Sequence, residues 1–514
     1  MPEDSLAHKR LVRGIAKGAG IVFIATVVSR IFGYLIRAVI ARHYGPEGYG
    51  FISTSLALFT ITSTIALLGF SNSLTRQIAY YFNTDRIRGI KSLIFSAYGL
   101  SSTIAVIAGL FLFLNSRVIA TTIFHDESLI PFLKYFAAGL VFFVWIKLSA
   151  SIFKAFKKMG WYTLIQDVLR FAAIFSAVVI AILLHAPVQL LGLTYLVAFI
   201  VVGIFGTVAA YYLTPIRKFP AGNLFGETKK LFSFSWPLML ASIIHIFLYR
   251  IDILMIGYFM DQINVGIYNA AVPIGQLLTV IISSFTPLLL PVMTEYFAHD
   301  DITNLNNTFT LSTKWIFLLT IPVFSLMVFF PDFFLVVIFG KNFLEASTVL
   351  QIIAFGFLLS ASVGPTGNLL VVVGKTHLNM INNLIAIVIN IILNLLLIPQ
   401  IGIYGAAVAS AFSYAFLNIL ALIEIYMMYK IHPFEFVYIK ITGLALVLGF
   451  GISFFYSPDR FFVGVILFAV YGLLYFLGLK LLRCFSQDDQ IIFKEFEKRY
   501  TNFLRFIKRF LKIK

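Results

Sequence analysis

Residues Gly18–Ala41 read GAGIVFIATVVSRIFGYLIRAVIA, and residues 42–50 continue as RHYGPEGYG. The first segment is long enough to cross a bilayer, which takes about 20 apolar residues. Yet Arg30 sits in its middle and Arg37 two turns further on. An arginine at the bilayer centre costs about 2.5–3.5 kcal/mol on insertion scales, so a plain anchor would carry neither. Arg30, Gly33, Tyr34 and Arg37 follow i, i+3, i+4, i+7 spacing and share one helix face. That face is expected to line a polar space inside a helical bundle.

The rest of the chain repeats this apolar character. Of 514 residues, 60% are hydrophobic and 12% charged, and a soluble domain has about twice that charged fraction. The chain is expected to be an all-α polytopic membrane protein. A formal net charge of +17 is no nucleic-acid signal, because the basic residues lie between apolar spans rather than on one domain. A lone cysteine, Cys484, excludes an internal disulfide, and no metal site or cofactor is expected.

Hydropathy predicts about fourteen spans. The basic residues 1–17 place the N-terminus in the cytoplasm, and an even count returns the C-terminus there. Loop charges agree: Arg76, Arg88, Lys91, Lys154, Lys157, Lys158, Arg217, Lys218, Lys229 and Lys230 fall in loops assigned inside. Loops assigned outside hold only Arg42, Arg117, Lys341 and Arg460. The loop Glu295–Leu311 departs from the rule, with Asp300 and Asp301.

A faint internal repeat organises the spans. Tyr81-Phe82 recurs as Tyr296-Phe297, Gly139 as Gly356, and Gly160 as Gly374. The turn GYGF at 48–51 matches VGIY at 265–268, and the same shift makes Asp252 the counterpart of Arg37. This divides the chain into a cytoplasmic N-terminus (1–17), a six-helix lobe (18–212), a linker (213–230), a second six-helix lobe (231–429), two extra helices (430–482) and a basic tail (483–514). Parallel repeats of this kind are a transporter architecture with the site between the halves. The tail segment 487–514 has Ile492, Phe496, Tyr500, Phe503, Ile507 and Phe510 at helical spacing among many lysines and arginines. It reads as an amphipathic helix on the inner leaflet.

Charged residues inside spans are few, so each is a candidate for function. Arg30, Arg37, Lys147, Arg170 and Arg250 form a set of cations with Asp167 and Asp252 among them. Threading places Lys147, Asp167 and Arg170 in the cytoplasmic half, Arg30 near the middle, and Arg37, Arg250 and Asp252 in the outer half. Such a ladder suits an anion, and arginine suits phosphate because its fork donates two hydrogen bonds. The competing reading pairs Asp167 with Arg170 at i, i+3, with Arg37, Arg250, Asp252 and Lys147 snorkelling to the surface; Arg30 is too deep for that. Span eleven carries Asn379, Asn382, Asn383, Asn390 and Asn394 mostly on one face. Asn382, Asn383 and Asn390 are candidates for sugar contacts; the alternative is hydrogen bonding between helices.

The stretches SRIFGYLIRAVIARHYGPEGYGFIS (29–53) and GFSNSLTRQIAYYF (69–82) resemble the opening of polysaccharide-biosynthesis flippases. SFSWPLMLASIIHIFLYRIDILMIGYFMDQINVGIYNAA (233–271) is similar to the start of their second lobe, and GIYGAAVASAFSYAF (402–416) to their twelfth span. The resemblance covers about residues 10–482. It implies a fold like that of the multidrug exporters of the same superfamily: about fourteen helices, as two six-helix lobes plus two extra helices around a V-shaped cavity. It also implies movement of a lipid-linked oligosaccharide between leaflets, with membrane lipids and that substrate as partners and no bond made or broken. Coupling to H+ or Na+ at Asp252 or Asp167 stays open, as does an ion-coupled small-molecule exporter. The drug-exporter branch tends to use carboxylates, and the first span has none. A membrane glycosyltransferase would need an acidic metal-binding motif outside, where Asp126-Glu127 is the only acidic pair.

Overall fold

The computed structural model describes residues 2–84, 87–220, 222–456, 461–485 and 489, with side chains from Ala25 onward. The proposed tail helix 487–514 lies outside the described residues except for Asp489. Helix α1 (Pro2–Leu67) has 66 residues. Drawn straight it would run about 100 Å, some three times the hydrocarbon core. It folds at Gly45, whose backbone (φ 70°, ψ −173°) leaves the helical region. Glycine tolerates that geometry, and Pro46 next to it withholds the amide that would keep the ladder continuous. The break falls in the turn RHYGPEGYG, so one helix supplies the first two expected spans.

The other helices are α2 (Phe70–Asn83), α3 (Arg88–Leu114), α4 (Leu129–Ala155), α5 (Arg170–Leu183), α6 (Leu191–Leu213), α7 (Leu224–Phe259) and α8 (Gln262–Gly275). They are followed by α9 (Leu277–Ala298), α10 (Ile302–Phe329), α11 (Pro331–Ile338), α12 (Ala346–Ser362), α13 (Thr366–Val372), α14 (Thr376–Ile401), α15 (Ile403–Tyr429), α16 (Val437–Ser453) and α17 (Phe461–Leu481). Twelve helical stretches are long and apolar enough to cross a membrane, and α16 is a shorter apolar helix. The first stretch, Ala25–Asn83, has 59 residues and contains the Gly45 break. Counting it as two, with α16, recovers the fourteen expected spans. Leu114, Leu184, Phe462 and Leu481 are exposed, an apolar exterior that fits lipid rather than water.

The chain forms two compact units. One holds Met1–Ile274, Leu335–Ile353 and Thr376–Leu417; the other holds Gly275–Phe334, Ala354–Lys375 and Asn418–Lys514. In the first, a ring cluster joins α1, α4 and α6. Phe59 stacks on Phe199 at 5.2 Å and meets Phe143 edge-on at 5.0 Å. Also in this unit, the two turns aligned by the sequence repeat meet each other. A Cβ on Gly50 would lie 1.8 Å from the Gln262 carbonyl oxygen, and one on Gly266 would lie 1.9 Å from that of Pro46. Each glycine is therefore required by close backbone approach, and the two contacts are reciprocal. Ser53 and Asn269, 216 positions apart, are hydrogen bonded beside them at 2.7 Å.

In the second unit, α10, α16 and α17 pack through tyrosines. Tyr475 donates to the Leu318 carbonyl at 2.9 Å and Ser325 to that of Ala445, also at 2.9 Å. Lys314 of α10 is buried and paired with buried Asp489, which also accepts from Trp315 Nε1 at 2.8 Å. The acidic loop that broke the charge pattern has a structural use. Asp301 caps α10, accepting from the Asn304 amide at 3.0 Å and its side chain at 2.7 Å. Those hydrogen bonds hold the Asp301 carboxyl below the usual carboxylate range.

Candidate functional site

All ten candidate residues lie in the first unit, and eight of them form three groups. The first surrounds the charged face of α1. Arg30 is exposed and Arg37 half-buried. Between them Tyr34 lies within electrostatic range of both guanidinium groups. The Arg37 guanidinium carbon is 5.9 Å from the Tyr34 ring centroid. The Tyr34 hydroxyl donates to the Pro273 carbonyl at 2.6 Å, which fixes this face of α1 against α8. Arg250 of α7 completes the group, close enough to Arg37 for the two charges to repel. The nearby cation of α7 is thus Arg250, although the repeat makes Asp252 the counterpart of Arg37. Residues two apart on a helix point to nearly opposite sides, so Arg250 can face α1 only if Asp252 faces away.

The second group joins α4 to the helix before α5. Here residues 164–169 form a π-helical turn, a wider coil that often marks functional positions. Lys147 Nζ lies 5.4 Å, and the Arg170 guanidinium carbon 5.9 Å, from the Phe143 ring centroid. Arg170 also lies over Phe171 at 4.4 Å, and its Nε is buried without a hydrogen-bond partner. Asp167 is within electrostatic range of both cations. No ion pair within 4.0 Å joins it to Arg170, since the described pairs are Arg117–Glu127, Lys230–Glu227 and Lys314–Asp489. The π turn accounts for this, because a wider coil moves positions i and i+3 apart around the axis.

The third group surrounds Asp252, which is buried. Its Oδ2 accepts from Tyr268 at 3.0 Å and from Ser410, and its Oδ1 from Asn394 Nδ2 at 2.8 Å. The same Asn394 nitrogen reaches Asn390 Oδ1 at 3.0 Å. Asn390 Nδ2 and Asn394 Oδ1 are buried without a hydrogen-bond partner. The carboxylate is therefore held by neutral donors from α8, α14 and α15, and no described cation pairs with it. Of the other candidate asparagines, Asn382 is buried, and Asn383 donates to the Asn379 carbonyl of its own helix at 2.6 Å. The asparagine face is thus divided, with Asn390 assigned to the carboxylate.

The sequence placed Tyr34 on the charged face of α1 without giving it a role, and it did not single out Tyr268 or Ser410. Nothing local distinguishes one hydroxyl in an apolar span from another. Only their distance to a charged neighbour, fixed by packing of helices remote in sequence, gives them a role. Outside these groups, Asp126 accepts from the Ser128 amide at 2.9 Å, and Glu127 lies 3.9 Å from Arg117. Both carboxylates of this acidic pair are thus engaged.

An all-helical bundle with unpaired cations and a buried carboxylate in its spans defines a multi-pass membrane transporter or flippase. The chain belongs to the polysaccharide biosynthesis protein family, whose model matches residues 15–297. The MatE family model matches residues 237–396. An uncharacterized membrane protein of Methanocaldococcus jannaschii is 24% identical over 94% of this chain and 98% of its own length. A Haloferax volcanii protein named a probable low-salt glycan biosynthesis flippase, Agl15, is 29% identical over 37% of this chain and 40% of its own. Among solved structures, the lipid II flippase MurJ in an inward closed conformation superimposes with a TM-score of 0.70. The match has 15% identity and covers 90% of this chain and 98% of that one, a likeness of fold.

Proposed function

We propose that this chain moves an oligosaccharide linked to a polyprenyl phosphate or pyrophosphate from the inner to the outer leaflet of the cell membrane. Both termini lie in the cytoplasm in this reading, in line with the loop charges. Two lobes, 18–212 and 231–429, alternate access to the site. The observation that carries the proposal is that none of the span cations has a described carboxylate partner. None of Arg30, Arg37, Lys147, Arg170 and Arg250 is in a described ion pair. A bundle that keeps costly cations without carboxylate partners is built for an anion that comes and goes. The names of Agl15 and MurJ point to the same class of cargo.

Arg30, Arg37 and Arg250 bind the phosphate in this scheme, while the lipid tail stays in the bilayer. Asp252 carries the coupling ion, H+ or Na+, because its donors are neutral and two amide groups beside it retain unused hydrogen-bonding capacity. The test is a leaflet-resolved assay in proteoliposomes with a labelled polyprenyl-pyrophosphate saccharide. Arg30→Ala is expected to abolish head-group translocation, and unchanged translocation would sink the proposal.

The MatE match favours a second reading, an ion-coupled exporter of small molecules. It requires transport in liposomes free of any lipid-linked donor, with dependence on Asp252.

A further inference from the structure

A recess opens between α2, α4 and the π turn before α5. It is lined by Thr75, Lys147, Ser151, Lys154, Tyr162 and Gln166, and no carboxylate lines it. We infer that this recess is a phosphate-binding site for a phosphate ester headgroup, separate from the arginine group on α1 and α7. The assignment deepens the proposed function, and it rests on that reading for the cargo whose phosphate would dock there.

Lys147 and Lys154 are seven residues apart, so they share a face and their Cα atoms lie about 10 Å apart along the axis. Neither is in a described ion pair. Their ammonium groups instead approach ring faces, Lys147 at 5.4 Å from Phe143 and Lys154 at 5.6 Å from Tyr162. The hydroxyls of the recess are spent on structure. Ser151 donates to the Lys147 carbonyl at 2.8 Å, so the 2.9 Å contact between Ser71 and Ser151 takes its proton from Ser71. Thr75 donates to the Ser71 carbonyl at 3.1 Å and to the Ser151 carbonyl at 3.2 Å. These bonds tie α2 to α4 and pre-form the recess. The groups that remain for a ligand are the two ammoniums, the Asn72 and Gln166 amides and the Tyr162 phenol, a set with net positive charge.

Two ammonium groups with no carboxylate among the lining residues favour an anion with several oxygens over a neutral sugar.

The test uses the full chain in phosphatidylcholine nanodiscs, titrated calorimetrically with glucose 1-phosphate and with glucose. Glucose 1-phosphate is expected to bind and glucose not to. Lys147→Gln is expected to weaken binding about tenfold, the loss of one charge-assisted hydrogen bond. Lys147→Arg should retain the affinity. Added phosphatidylglycerol distinguishes the sources: competition assigns the site to a lipid headgroup, and its absence assigns it to a water-borne phosphate ester. Equal affinity for glucose, or full affinity in a Lys147→Gln protein with an intact thermal melt, overturns the site. The leaflet assay on the same preparations separates the two claims. Lys147-dependent binding without translocation removes only the transport reading; translocation with Lys147-independent binding removes only the site.

Discussion

The Tyr49 hydroxyl donates to the carbonyl of Asn269 at 3.2 Å, and that carbonyl is free because position 273 is proline. Four residues on, Pro273 has no amide to offer it. The two residues thus repair across helices a gap that one of the helices makes. Asn269 Nδ2 completes the node with a 2.7 Å bond to Ser53.

Tyr49→Phe is accordingly expected to destabilise the protein, since it strands a buried carbonyl at a cost of about 1–3 kcal/mol. The informative comparison is a cycle with Pro273→Ala, which restores the missing helix amide. In that background Tyr49→Phe should cost much less. Apparent melting temperatures of the four proteins in detergent measure the coupling. Additive losses would show that Tyr49 does not serve that carbonyl.

Arg250 and Asp252 should separate in function as they do in direction. Arg250→Gln is expected to weaken binding of the pyrophosphate head group about tenfold or more, leaving ion dependence intact. Asp252→Asn is expected to leave head-group binding unchanged and to remove the response to an imposed proton or sodium gradient. Binding titrations and gradient-driven uptake in proteoliposomes measure the two. Loss of both properties in both variants would mean that the groups act as one.

Lys314 and Asp489 form a buried pair in the second unit, at 5% and 0% side-chain exposure. Removing one partner leaves a buried charge, which costs about 3–5 kcal/mol. Lys314→Met should therefore lower the melting temperature sharply. Lys314→Met with Asp489→Leu should recover much of the loss, because a buried pair replaced by apolar groups is often neutral. A double variant no better than the single would place the stabilisation elsewhere.

The repeated apolar runs and the positions of glycine and proline made most of the helices legible in sequence. Gly45-Pro46 sits in the turn between the first two expected spans, where α1 breaks. The candidate site was legible as a set of charges, because a charge in a membrane span is costly enough to stand out singly. Its grouping was not legible. Periodicity gives the angle between Arg250 and Asp252 but not which of them faces α1. Nor does it reveal the π turn that separates Asp167 from Arg170, since a one-residue widening leaves no mark on hydropathy. The spare asparagine capacity around Asp252 likewise depends on α7, α8, α14 and α15 converging from distant parts of the chain.

Arg42 provides the last test, because a single side chain holds the end of a helix. Its Nη2 donates to the Val336 carbonyl at 3.0 Å and the Val337 carbonyl at 2.5 Å, and its Nε to that of Ile338 at 3.1 Å. These carbonyls lie at the C-terminal end of α11, at the negative end of the helix dipole, and that of Val336 also accepts from the Gly340 amide at 3.1 Å. The guanidinium fork bridges neighbouring acceptors in a way that a lysine ammonium does not. Arg42→Lys keeps the charge and loses that geometry. In the proposed topology this contact lies on the outer side, so weakening it should favour opening there. A loss of about 1–2 kcal/mol would change the open population about 5- to 30-fold. Hydrogen exchange at the amides of residues 339–344 and 44–50 measures this, with faster exchange expected in Arg42→Lys than in the parent. Exchange unchanged in both segments would mean that the Gly50 and Gly266 contacts hold the two turns together without Arg42.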